Sequence, residues 1–137
     1  MTATSRYRLD DRYRADEGTV FLTGIQALAR LPLEQLRADR RAGLNTAAFV
    51  SGYQGSPLGG YGEAVEAAAR IDTSLPLTFR QAMNEEYGAT AVMGSQLASA
   101  RPDARHDGVV GIWYGKAPGV DRAADALRHA VYAGTSM

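Results

Sequence analysis

Two adjacent acids, Glu85 and Glu86, one lysine, Lys116, and a glycine-rich stretch at 52–62 are the parts of this chain whose types and spacing could do chemistry. Neighbouring residues on a helix point about 100° apart. Glu85 and Glu86 therefore cannot form a paired acid–base dyad, and at most one of them can face a given pocket. Both also suit the first turn of a surface helix, where the dipole favours acids without any chemistry. Lys116 is the single lysine of the chain and follows Gly115, so it can meet an anion or sit in solvent. Residues 52–62 hold five glycines in eleven positions. Such glycines turn the chain sharply. They also let the backbone approach a ligand closely, with Ser56 offering a hydroxyl beside Gly55 and Pro57. A plain turn does not need five of them, which favours a ligand.

The familiar loop motifs fail here. A phosphate-binding P-loop requires G-x-x-x-x-G-K-[ST]. Gly115-Lys116 is followed by Ala117, and the position five before Gly115 is Val110. Residues 52–62 contain no G-x-G-x-x-G, and Ser56 lacks the G-x-S-x-G spacing of a nucleophile elbow. No histidine is placed to activate it. His106 and His129 are the only imidazoles and are not linked by H-E-x-x-H spacing, so no metal site is expected. There is no cysteine, which excludes disulfides, thiolate catalysis and cysteine-ligated zinc or iron–sulfur clusters within this chain.

These residues must be positioned by regular elements, and the apolar pattern supplies them. Ile25, Leu28, Ala29, Leu33 and Leu36 recur at helical spacing over 23–42, interrupted by Pro32, which kinks one helix or opens a second. Gly43 sits where a helix C-cap belongs. Residues 45–51 read as a buried strand. Helix is expected over 63–70, a second strand over 75–81 with Pro76 at its start, and a helix capped by Asn84 running to about Ala100. Residues 109–114 form a third strand, followed by a turn at Pro118-Gly119 and a helix over 120–132. Phe49, Phe79 and Trp113 fall inside strands and read as core. Alternating helix and apolar strand predicts an α/β fold with a parallel sheet flanked by helices on both faces. Ligands in such sheets bind beyond the carboxyl ends of the strands. The loops at 52–62, 82–85 and 115–119 lie there, and they are also the most unusual stretches of the sequence.

The 137 residues carry 15 basic and 15 acidic side chains, so the net charge is zero and a general nucleic-acid footprint is not expected. The apolar fraction of 45% suits one globular domain. Residues 1–17 mix four arginines, four acids and two tyrosines without a period and read as a solvated arm that packs on something else. Residues 18–137 form the structured part. The arm has no apolar stretch resembling a secretory signal, and no run reaches the 18 or so apolar residues of a membrane span. A cytoplasmic protein without a membrane partner is expected.

Three segments together resemble a known family. Gly52-Tyr-Gln-Gly-Ser-Pro57, the Asn84-Glu85 helix start, and Gly111-Ile-Trp-Tyr-Gly-Lys-Ala-Pro-Gly-Val-Asp-Arg122 are similar, in that order, to the N-terminal region of indolepyruvate ferredoxin oxidoreductase. This is a branch of the thiamine-diphosphate-dependent 2-oxoacid:ferredoxin oxidoreductases, and the similarity runs from about Gly18 to the end of the sequence, nearest to the large fused bacterial form. The resemblance implies that 18–137 is a partial pyrimidine-binding domain. It makes Glu85 the carboxylate that hydrogen-bonds the pyrimidine ring of thiamine diphosphate. A carboxyl shielded from water can share a proton with that ring nitrogen, which favours the tautomer that deprotonates the thiazolium. The cofactor then acts as electron sink for decarboxylation. Gly55, Ser56 and Pro57 match the segment near cofactor and substrate, and Lys116 matches a basic position that holds the substrate carboxylate.

By the same resemblance the reaction is oxidative decarboxylation of indolepyruvate or another 2-oxoacid to its acyl-CoA, with coenzyme A and ferredoxin as partners. The family's diphosphate and magnesium ligands, with a Gly-Asp-Gly motif, and its 4Fe-4S clusters belong to parts that do not occur in this sequence. The chain is therefore expected to be a fragment with an incomplete sheet, inactive alone, acting with the remaining domains in an oligomer. Two other readings stand beside it. One is a non-catalytic α/β module that binds another ligand or a protein partner, and the other is a decayed reading frame.

Overall fold

A computed structural model of the protein describes residues 7–55 and 57–134. Three strands, β1 (Thr46–Gly52), β2 (Leu77–Gln81) and β3 (Gly108–Tyr114), form one sheet in the order β2-β1-β3. Both pairings are parallel, with Ala48 opposite Leu77 and Thr46 opposite Gly108. The expected α/β parallel architecture is therefore present. The helices are α1 (Asp11–Arg14), α2 (Gly24–Arg41), α3 (Tyr61–Ile71), α4 (Glu85–Gln96), α5 (Ala117–Arg122) and α6 (Ala124–Ala133). α2 and α3 pack on each other and on β1 and β2, whereas α4 packs on β1, β3 and α6. The chain crosses from β1 to β2 and then back past β1 to β3. Right-handed crossovers in opposite directions place α3 and α4 on opposite faces.

Local chemistry sets the helix ends. Thr23 and Gln26 form a reciprocal capping box at the start of α2. At its end Gly43 adopts φ +83°, its amide donates to the Arg40 carbonyl at 3.0 Å, and the Leu44 amide donates to Asp39 at 2.9 Å. That pair of bonds is a Schellman stop, and the positive φ is the reason for glycine there. α2 passes through Pro32 as one helix. An interior proline costs about 3 kcal/mol. Leu33 and Leu36 are fully buried, and burying each contributes about 1.5–3 kcal/mol. The packing face therefore carries a single helix through Pro32, the first of the two outcomes expected there.

The core lies mainly between α2, α3 and the sheet, where Leu33, Leu36, Val50, Val65 and Ala68 are closed to solvent. The arm expected over 1–17, solvated and packed on something else, is in part buried. Residues 1–6 lie outside those described, but α1 packs on this same chain, and Tyr13 is only 3% exposed. Arg30 donates to the carbonyls of Arg12 (2.6 Å) and Ala15, and Arg37 to that of Tyr13. Arg30 and Arg37 thus fasten the arm to α2. A second difference concerns Pro118-Gly119, which lies inside α5 rather than in a turn. Pro118 falls in the first helical turn, where its missing amide sacrifices no hydrogen bond. Among the described residues no helix is long and apolar enough to cross a membrane.

Candidate functional site

The three expected loops do gather at the carboxyl end of the sheet, in shorter form. β1 extends to Gly52 and α3 starts at Tyr61, so the glycine loop spans 53–60, while α5 begins directly after Lys116. α4 opens beneath this end. The Asn84 side chain accepts a hydrogen bond from the Tyr87 amide at 2.9 Å, as its cap role predicts. Gly88, one turn further, faces Gly52, and a Cβ on it would lie 3.0 Å from the Gly52 Cα.

The helical turn separates the two acids. Glu85 is 8% exposed, whereas Glu86 is open to solvent. The Trp113 indole N–H donates to the Glu85 carbonyl at 3.1 Å, tying the first residue of α4 to the carboxyl end of β3. Arg122 of α5 approaches the carboxylate, its Nε 3.6 Å from Oε2. Gly119 roofs the side chain: a Cβ there would stand 2.7 Å from Glu85 Cγ and 3.1 Å from Oε1. Any larger residue would have to displace the carboxylate.

Loop one meets loop three at Gly55, where a Cβ would lie 3.2 Å from Cδ of Lys116. The lysine stem runs along the glycine loop, and its ammonium is exposed without an ion pair among the described residues. Gly115, just before it, borders Glu85, a Cβ there falling 3.8 Å from Glu85 Cγ. Gly55, Lys116 and Glu85 therefore line successive parts of one β3–α5 junction. Pro57 is exposed in the turn before α3, and Ser56 lies outside the described residues.

Two tyrosines support this end from below. The rings of Tyr61 and Tyr114 meet edge to face at 4.9 Å. Burial, then the neighbouring Tyr114 phenol, pushes the Tyr61 hydroxyl up to about 12. Burial also raises Tyr114. Both remain protonated at neutral pH and serve as packing. Glu86 instead borders a hollow of about 560 Å³ with Tyr87, Asp125 and His129. Among the described residues no group of three or more His, Asp or Glu side chains is gathered in a way that could hold a metal ion.

The sequence singles out Glu85, Gly55 and Lys116, which the fold brings to one junction, but not the contacts that Gly119, Arg122 and the Trp113 indole make with Glu85. All three fall in the marked segment 111–122, but nothing local pairs them with Glu85, which lies 28 to 37 residues earlier in the chain. No family model, no curated protein and no solved structure matches the chain.

Proposed function

We propose that the chain forms the pyrimidine-facing half of a thiamine diphosphate site, as the N-terminal part of an indolepyruvate-type 2-oxoacid:ferredoxin oxidoreductase of the cytoplasm. The observation that carries this reading is the burial of Glu85 at the carboxyl end of a parallel sheet, beside an exposed Glu86. The remaining support is the resemblance of the three loop segments.

The residues present suit the pyrimidine end of the cofactor. Glu85 keeps 11% of its side chain open, and Arg122 engages only Oε2, at 3.6 Å. Oε1 has no partner among the described residues and is available to hydrogen-bond a ring nitrogen. The Trp113 indole holds the Glu85 backbone through its carbonyl, and Gly119 packs over the side chain. The Lys116 stem packs at Gly55, and its ammonium, without an ion pair among the described residues, suits a substrate carboxylate. When bound, thiamine diphosphate would supply the electron sink for decarboxylating the 2-oxoacid. The proposal assigns the diphosphate, the magnesium ion, the 4Fe-4S clusters, coenzyme A and ferredoxin to other domains of the assembled enzyme.

The test is proton exchange at C2 of the bound cofactor in the enzyme that carries this segment. Glu85→Gln should slow the exchange, and Glu86→Gln should leave it unchanged. Equal exchange in both would remove Glu85 from the site.

A second reading follows from the Arg122 contact. If the Glu85–Arg122 pair only docks α5 onto α4, the domain is a non-catalytic α/β binding module, and Glu85→Gln should alter stability but no reaction.

A further inference from the structure

At the opposite end of the sheet, beside the start of β2, a cleft of about 520 Å³ is lined by Arg14, Arg37, Arg40, Arg41, Asp16 and Asp72, with Leu75 as an apolar wall. Two of its four cations are matched. Arg37 pairs with Asp72 at 2.7 Å and Arg41 with Asp16 at 3.1 Å. The other two are not. Arg14 donates through Nε to the Ile71 carbonyl at 2.7 Å, and Arg40 donates through Nη2 to the Ser74 carbonyl. Neither has a carboxylate partner among the described residues.

Ile71 and Arg41 end α3 and α2, and helix carboxyl ends attract cations. That attraction accounts for one N–H of Arg14. A guanidinium carries five donors in a fixed fork, so most of the donors of Arg14 and Arg40 are left over. Their tethers to backbone carbonyls restrict where those donors can point. We propose that this cleft binds a phosphate group. Two unmatched guanidiniums balance a dianion, and their planar forks fit its oxygens in pairs, which one ammonium would not do. The volume falls within the range of small-molecule sites. The inference uses none of the residues of the proposed thiamine site, so the two stand or fall separately.

Calorimetric titration of the 137-residue chain with inorganic phosphate, and then with phenyl phosphate, tests it. One saturable site is expected. Tighter binding of phenyl phosphate would assign an organic ester lying against Leu75; equal affinities would assign the phosphate group alone. Replacing Arg14 and Arg40 together by Ala should weaken binding roughly 10-fold or more, the scale of lost charge-assisted hydrogen bonds. The charge-matched pair Arg101→Ala and Arg128→Ala, both exposed and away from the cleft, should change it little. If circular dichroism shows that the alanine pair does not fold, Arg14→Lys with Arg40→Lys keeps the charge and removes the forks, and should still weaken binding several-fold. No saturable binding by the native chain, equal weakening by the control pair, or unchanged affinity in the lysine pair would each overturn the proposal.

Discussion

Glu85 and Glu86 are consecutive, share charge and helix position, and yet stand on opposite sides of the protein boundary. The first is 8% exposed under Gly119 and beside Arg122, and the second faces solvent. Helix geometry alone requires the two to diverge. Which one turns inward depends on where α4 meets β1 and β3. On the thiamine reading this asymmetry carries over to turnover. In the assembled enzyme Glu85→Gln should lower 2-oxoacid-dependent ferredoxin reduction by roughly 10²-fold or more, the usual scale for losing acid–base assistance. Glu86→Gln should cost less than about 2-fold. Steady-state assays of both variants decide it, and a reversed order would move the role to Glu86.

Gly119 and Gly94 make a paired stability test. A Cβ on Gly119 would press to 2.7 Å on Glu85 Cγ, whereas one on Gly94, inside α4, meets nothing within 4 Å. Gly119→Ala should therefore destabilise by about 1–3 kcal/mol through overpacking. Gly94→Ala should stabilise by about 0.5–1 kcal/mol through helix propensity and a less flexible unfolded chain. Urea denaturation of both reads opposite signs from the same substitution.

The arm can be tested at Tyr13, which is buried against α2 and held by Arg37. Tyr13→Ala should cost about 3 kcal/mol, as for other large buried aromatics. A solvated arm would show a change below about 0.5 kcal/mol in the same urea transition.

Asp72 makes a statement about acid. Burial raises its carboxyl, but hydrogen bonds from the Ser74 hydroxyl, Arg37 and the Ser74 amide, with the Arg37 charge, outweigh burial and hold it below its ordinary 3.8. A carboxylate depressed in the folded state contributes its stability above its unfolded value and loses it as pH falls through the lower folded one. The native chain should hold this contribution at pH 5 and lose it progressively below about pH 4. Asp72→Asn should be less stable at neutral pH, and its denaturation midpoint should fall less steeply over the acid range.

Much of the frame was legible one segment at a time. The apolar runs at 45–51 and 109–114, the stop at Gly43 and the cap at Asn84 are local features, and each appears where its chemistry predicts it. Alternation of helix and apolar strand was enough to imply parallel pairing, because only crossovers connect such strands. What the tertiary structure decided involves residues far apart in sequence. Pro32 stays inside one helix because Leu33 and Leu36 bury against the sheet. Tyr13 joins the core because Arg30 and Arg37 hold the arm's carbonyls. Glu85 is distinguished from Glu86 by Gly119 and Arg122, and Arg14 is brought to Arg40 only when α1 packs beside the end of α2. Periodicity reports which face of an element is apolar. Which residues meet across that face follows from the packing of elements, which no single segment carries.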